Sequence, residues 1–191
     1  MRSEGSGPNA LLDFFRDIGA PTSMRRDNSK MQTSELWETY LRQYNVRNEF
    51  TEPYHSQQNP AERQLAIHKQ RMKGKMITTG CDPRAWFKLS SHVTSLNNLI
   101  ARKSINWRTP YEILHGSKPD ISPYVIFEFW EPVYYTILNT PFPNNQERIG
   151  RFMGIAENQG DGMCFWILTN ETEYLIVRSY LRSAKNATKP N

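Results

Sequence analysis

An α/β segment running to about residue 118, followed by a small all-β module over residues 119–191, is the architecture this sequence predicts, on three observations. Up to about residue 120, apolar residues recur at helical spacing between capping signals. Beyond it come five short runs of β-branched and aromatic residues, separated by Gly, Pro and Asn turns. The third observation is compositional. Only 38% of the 191 residues are hydrophobic while 12% are aromatic, so aromatic side chains must supply much of the core.

The elements follow in order. Leu11, Phe14, Phe15 and Ile18 fall on one helical face, and Gly19-Ala20-Pro21 ends that helix. A short extended stretch over Thr22–Arg26 leads to Asp27. A second helix over about Thr33–Tyr44 carries Leu36, Trp37, Tyr40, Leu41 and Tyr44, and Val46–Thr51 reads as a strand. Asn59 followed by Pro60 is a capping side chain before a residue of fixed φ, which starts a third helix with Glu62 in its first turn. Asp82-Pro83 repeats the signal ahead of a long helix striped by Trp86, Leu89, Val93, Leu96 and Ile100. Thr109-Pro110-Tyr111-Glu112 spells a capping box, and Gly116 closes the short helix behind it. The runs Tyr124–Phe129, Val133–Leu138, Ile149–Ala156, Cys164–Leu168 and Tyr174–Ser179 are expected as strands, with Gly160-Asp161-Gly162 as a hairpin turn.

Composition excludes several classes. The mean hydropathy is −0.70, and no long uncharged apolar run exists, so no membrane span is expected. No apolar run follows Met1-Arg2-Ser3-Glu4-Gly5-Ser6-Gly7-Pro8, so no signal peptide is expected. Cys81 and Cys164, far apart, exclude a zinc finger or a disulfide scaffold, leave one long-range disulfide arithmetically open, and point to a reducing, intracellular compartment. The net charge of +5 is mild, but its distribution is uneven. Arg63, Lys69, Arg71, Lys73 and Lys75 occur with no acid between Glu62 and Asp82. Arg178, Arg182, Lys185 and Lys189 follow the last acid, Glu173. Both stretches suit a polyanion, and both also suit plain solvated faces.

Two carboxylates stand out by context. Asp27 follows a strand, Glu62 opens a helix, and such a pair can converge to offer oxygen ligands to a hard divalent cation. The plainer reading is a turn residue and a first-turn acid favoured by the helix dipole. His55, His68, His92 and His115 form no catalytic constellation by spacing, and His92 reads as structural beside its apolar stripe. Cys164 reads as a core cysteine between Met163 and Phe165. The aromatics of the β-module read as core, and no Gly-rich phosphate loop is present.

Taken together, several ordered segments resemble the integrase of copia-type (Ty1/copia) LTR retrotransposons. Thr51-Glu52-Pro53-Tyr54-His55-Ser56-Gln57-Gln58-Asn59-Pro60-Ala61-Glu62-Arg63 is similar to that family's signature around its third carboxylate. Gly19-Ala20-Pro21 with Arg26-Asp27-Asn28 resembles the second-carboxylate motif, and Asp27 and Glu62 stand 35 residues apart, close to the spacing that integrases of the Asp-Asp-Glu class use. Arg108-Thr109-Pro110-Tyr111-Glu112 through Gly116 and Pro119-Asp120 is similar to the segment beyond the catalytic core. Gly150-Arg151-Phe152-Met153-Gly154 and Ile176-Val177-Arg178-Ser179 resemble pieces of the β-rich region after it.

The resemblance implies a truncated RNase H-like integrase core over residues 1–118 and an SH3-like β-module over 119–191. It implies DNA integration by phosphodiester transesterification with Mg²⁺ or Mn²⁺, Asp27 and Glu62 serving as catalytic residues and metal ligands. Tyr54, His55, Gln57, Gln58 and Asn59 would handle the DNA end, and Arg63, Lys69, Arg71 and Lys73 would lie along DNA. Double-stranded DNA and other integrase chains are the implied partners, no membrane is involved, and the implied location is the nucleus, otherwise the cytoplasm. The family's first carboxylate belongs to a strand well before the second. Asp13 and Asp17 sit in a helix and do not match it, and the zinc-binding region has no counterpart. The expectation is a carboxy-terminal part of an integrase that binds metal weakly, is inactive alone and retains nucleic-acid binding. Its alternatives are a non-catalytic host DNA-binding protein derived from a retroelement, or a decayed reading frame.

Overall fold

A computed structural model describes residues 6–26, 30, 32–51, 60–137, 140–157, 159–160 and 163–185. The chain divides into two compact units, Met1–Ile67 and His68–Asn191.

The first unit is built on two helices and a pair of strands. Helix α1, Gly7–Ile18, has Pro8 in its first turn and buries Leu11 and Phe15. Helix α2, Glu35–Gln43, starts where the Ser34 hydroxyl accepts a hydrogen bond from the Trp37 amide at 3.4 Å, and it buries Trp37 and Leu41. These four side chains and Val46 form the unit's core. Strands β1, Ser23–Arg26, and β2, Arg47–Phe50, pair in parallel from Ser23 opposite Arg47 to Arg26 opposite Phe50. A parallel pair needs a crossover, and α2 supplies it. Arg26 ends β1 almost fully buried; its guanidinium pairs with Glu38, donates to Asn48 Oδ1 at 2.7 Å and lies over the Phe50 ring. Removing Glu38 would strand that buried charge.

Helix α3, Pro60–Thr79, carries the boundary between the units within it and has no buried residue. In the second unit a 3-10 turn, Pro83–Ala85, is capped by Asp82, which accepts from the Arg84 amide at 2.8 Å, and leads into α4, Trp86–Leu99. Of the expected α4 stripe, Leu89 and Val93 are buried and Leu96 half-buried, whereas Trp86 and Ile100 at the ends are exposed. Helix α5, Pro110–His115, realises the capping box. Glu112 N donates to Thr109 Oγ1 at 3.0 Å, Thr109 N donates to Glu112 Oε2 at 2.7 Å, and Gly116 closes it with φ of 71°.

The run Tyr124–Phe129 corrects the sequence reading: it is not a strand. Asp120 accepts from the Ser122 amide, and α6, Ser122–Val125, forms one helical turn with Pro123 at its start. After it come β3, Pro132–Thr136, β4, Glu147–Ile155, β5, Phe165–Thr169, β6, Leu175–Arg178, and β7, Leu181–Ser183, a strand the sequence did not announce. They make one antiparallel sheet in the order β6-β5-β4-β3-β7. Four strands meander and the fifth returns beside the first, which is the SH3-like order.

Both faces of this sheet are used. One holds Phe127, Val133, Tyr135, Phe152, Phe165 and Ile167. The other meets α4 through Ala85, Leu89, Val93, Phe129 and Met153. Adjacent Phe152 and Met153 serve opposite cores by the ordinary alternation of a strand, and the register against β5 shifts at a bulge between Phe152 and Gly154. Of the aromatics of the β-module, Phe127, Phe129, Tyr135, Phe152 and Phe165 are core as expected, whereas Phe142, Tyr174 and Tyr180 are exposed. The glutamate that interrupts the apolar run, Glu131, is buried. It accepts from Ser183 Oγ at 2.5 Å and from the Glu128 amide at 2.9 Å, and Lys185 lies 3.2 Å away. Those bonds fasten the start of β3 to β7.

Candidate nucleic-acid interface

The polyanion reading depends on which cations are left for a partner. The carboxy-terminal cluster is not. Arg182 pairs with Glu147 at 2.9 Å, Lys185 with Glu128 at 2.8 Å and with Glu131, and Arg178 donates to the Thr136 and Val177 carbonyls. Lys189 lies outside the described residues. The stretch that reads as basic in sequence is largely neutralised by acids from β4 and the turn before β3.

Helix α3 behaves differently. Glu62 and Arg63, in the first unit, are exposed on its opening turns, and every residue from 60 to 66 is exposed. In the second unit Lys69 and Lys73 are exposed one turn apart. Among the described residues no ion pair engages Arg63, Lys69 or Lys73. Arg71 is exposed too, but its guanidinium bonds Asn97 on α4. His68 lies 3.0 Å from Ser90 Oγ, and Met72 and Met76 pack on the α4 core. These contacts fix the carboxy-terminal half of α3 against α4.

Two features had no signal in the sequence. A groove of about 600 Å³ runs between the start of α4 and the sheet, lined by Arg84, Phe87, Lys88, Trp130, Arg151 and Tyr174. Its cations are already seated: Lys88 Nζ is 3.5 Å from the centre of the Trp166 ring, and the Arg151 guanidinium is 5.8 Å from that of Trp130. Arg84 is clamped by Asp82 at 2.8 Å and Glu173 at 3.3 Å. No periodicity could reveal it, because its residues come from segments tens of positions apart. The second is a cavity of about 260 Å³ bordered by His92, Ser95, Tyr124, Glu157 and Trp166. His92 is buried among Phe129, Phe152 and Tyr124, and its Nδ1 has no partner. Burial, helped by the charge of Lys75, lowers its pKa to about 4, so the ring is neutral and structural. Burial and the Glu157 carboxylate push the Tyr124 phenol up to about 12. Both cysteines are free thiols, Cys81 buried and Cys164 partly so.

Asp27, Tyr54, His55, Gln57, Gln58 and Asn59 lie outside the described residues. Among the described residues no three of His, Cys, Asp or Glu gather into a metal-binding group. A Mg²⁺ ion wants several oxygen ligands in near-octahedral array, and Glu62 alone does not provide them. Among the described residues no helix is long and apolar enough to cross a membrane.

No family model matches the chain, and no curated protein matches it. Solved structures do. A chain in the cryo-EM structure of a simian T-cell lymphotropic virus intasome, in complex with the PP2A regulatory subunit B56 gamma, is similar over 96% of this chain and 67% of its own length. The sequence identity is 16% and the TM-score 0.45. The HTLV-2 integrase catalytic core domain, in complex with magnesium and in trimeric form, is similar over 59% of this chain and 72% of its own. Here the identity is 18% and the TM-score 0.46. Scores this low describe a partial likeness of chain path, and the features above stand on this chain's own residues.

Proposed function

We propose that this chain is an integrase-derived nucleic-acid-binding protein of the copia type, which grips double-stranded DNA along α3. The observation that carries the reading is the contrast between two basic stretches. The tail spends its cations on Glu147, Glu128 and Glu131, while Lys69 and Lys73 on α3 remain exposed and unpaired. Packing of this helix is confined to half-buried side chains such as Met72 and Met76, which leaves its basic face open to phosphates. Residues 1–118 then correspond to the remnant of a catalytic core and 119–191 to its β-rich module, with a nuclear site of action and association between copies as further parts of the proposal. Asp27 and Glu62 are relics in this reading, and the chain alone does not join DNA ends. The retained host-protein alternative shares the binding chemistry and differs only in history.

The test is binding of labelled duplex DNA across a salt series. Affinity should fall linearly on a log–log plot, and Lys69→Glu with Lys73→Glu should reduce the slope by about 2, near 0.9 per phosphate contact. Absence of binding at low salt by folded protein would remove the proposal. Mg²⁺-dependent joining of DNA ends by the chain alone would remove its inactive part.

A further inference from the structure

Between α4 and α5 the chain makes a loop that serves neither core. Trp107 at its tip is 71% exposed, the largest side chain type left in solvent. The loop is nonetheless tightly built. Arg102 O accepts from both Ile105 N at 3.1 Å and Trp107 N at 3.0 Å. Lys103 O accepts from Asn106 N at 3.2 Å, Ile105 O from Arg108 N at 3.2 Å, and Arg108 O from Arg102 N at 3.0 Å. The ring of bonds holds two consecutive residues in the left-handed region, Asn106 at φ 56° and Trp107 at φ 60°. Asn tolerates that conformation and Trp does not favour it. The backbone is thus held in a costly shape that leaves the indole in solvent. The main chain beneath the ring is pre-organised, so only the side chain's own rotations are lost on meeting a partner.

Charge indicates the partner. No acidic residue occurs between Asp82 and Glu112, while Arg102, Lys103 and Arg108 flank the tryptophan. Arg102 is engaged with the Asn97 carbonyl at the end of α4. Lys103 and Arg108 are exposed; Arg108 donates to the Glu112 carbonyl and its charge helps hold the Glu112 carboxylate, which itself accepts from the Thr109 amide. An apolar pocket on a protein would have no use for these cations. A flat π-face in a basic loop matches a nucleobase with its phosphates, and within a strand only an unpaired base has a free face to offer, the last pair of a duplex adding one at each end.

We propose that the Arg102–Arg108 loop is a site for unpaired bases, stacking one on Trp107 while Lys103 and Arg108 contact adjacent phosphates. This rests on the nucleic-acid reading of α3 and adds a preference for single-stranded character that α3 does not provide.

The experiment compares a labelled blunt duplex with the same duplex bearing a short single-stranded overhang, at one fixed salt concentration. Wild-type protein should bind the overhang about tenfold tighter. Trp107→Ala should lose that preference with blunt-duplex binding unchanged, and Trp107→Phe should keep most of it. Circular dichroism checks that each variant is folded. If Trp107→Ala is not, quenching of tryptophan emission by the overhang decides: it should be present in wild type and reduced in Trp107→Phe. Equal preference in wild type and Trp107→Ala, or equal weakening of both DNAs, overturns the site. Steep salt-dependent duplex binding with no overhang preference in wild type overturns it while leaving the α3 reading intact. Absence of binding to either DNA overturns both.

Discussion

His92 sits where a charge cannot. The residue is 7% exposed, with Phe129 centred 5.4 Å away and Phe152 at 6.3 Å, and the charge of Lys75 acts on it. Folding holds the imidazole near pKa 4, against an ordinary value of 6.5. The unfolded chain therefore binds more protons between those two values. This group's contribution to stability is complete above about pH 6.5 and is lost as pH falls toward 4. The loss amounts to about 3 kcal/mol at order-of-magnitude precision. Thermal unfolding at pH 7 and pH 4.5 checks this: His92→Leu should lose less stability between the two than wild type does. The same residue illustrates how sequence can report an environment. Its place beside the α4 stripe announced a structural histidine, but not the aromatic cage, which is assembled from Tyr124, Phe129 and Phe152.

Among the elements, β4 explains why its segment carries two glycines. A Cβ on Gly150 would fall 2.5 Å from Ile167 Cγ2 and 2.7 Å from the Leu168 carbonyl oxygen, and that oxygen belongs to the paired backbone of β5. Gly150→Ala should thus cost about 3 kcal/mol in urea unfolding, with the strands forced apart. Gly154 is different: a Cβ there would make only ordinary contact with His92, 3.8 Å from its Nδ1, but the φ of 116° at the bulge is one that side-chain-bearing residues rarely adopt. Local signals of this kind were legible in the sequence. The Thr109–Glu112 capping box and Gly116 are bonds between near neighbours, so spelling and structure coincide. The run Tyr124–Phe129 was misread because its alternation is real but has another cause. Phe127 and Phe129 enter the two different cores from a turn rather than from a strand. Strand β7 has three residues and no pattern to read.

At the scale of the whole chain, the candidate interface was half legible. Exposure of Lys69 and Lys73 on a basic helix follows from the acid-free stretch around them. Neutralisation of the tail does not, because Arg182 and Lys185 find their acids 35 and 57 residues away. Charge counting along a sequence treats every cation as available, and only the fold shows which have been spent. The same limit hid the loop at Trp107, whose character comes from main-chain bonds and φ values rather than residue type. The separation into two units also bears on where a boundary falls: residues 68–118 share a compact unit with the sheet, since α4 covers one of its faces.

The parallel pair β1–β2 has one further consequence. Each of its strands bonds to a single neighbour among the described residues, whereas β3, β4 and β5 are each flanked on both sides. A two-stranded sheet has no central strand, so no amide in it is guarded by a ladder on both edges. Opening such a pair requires only local motion, while freeing β4 requires the five-stranded sheet to come apart. In deuterated solvent the amides of Ser23–Arg26 and Arg47–Phe50 should exchange well before those of Phe152 and Ile167. Mass spectrometry of peptic fragments would resolve two time regimes within one polypeptide, and a single common rate would show that the units open together.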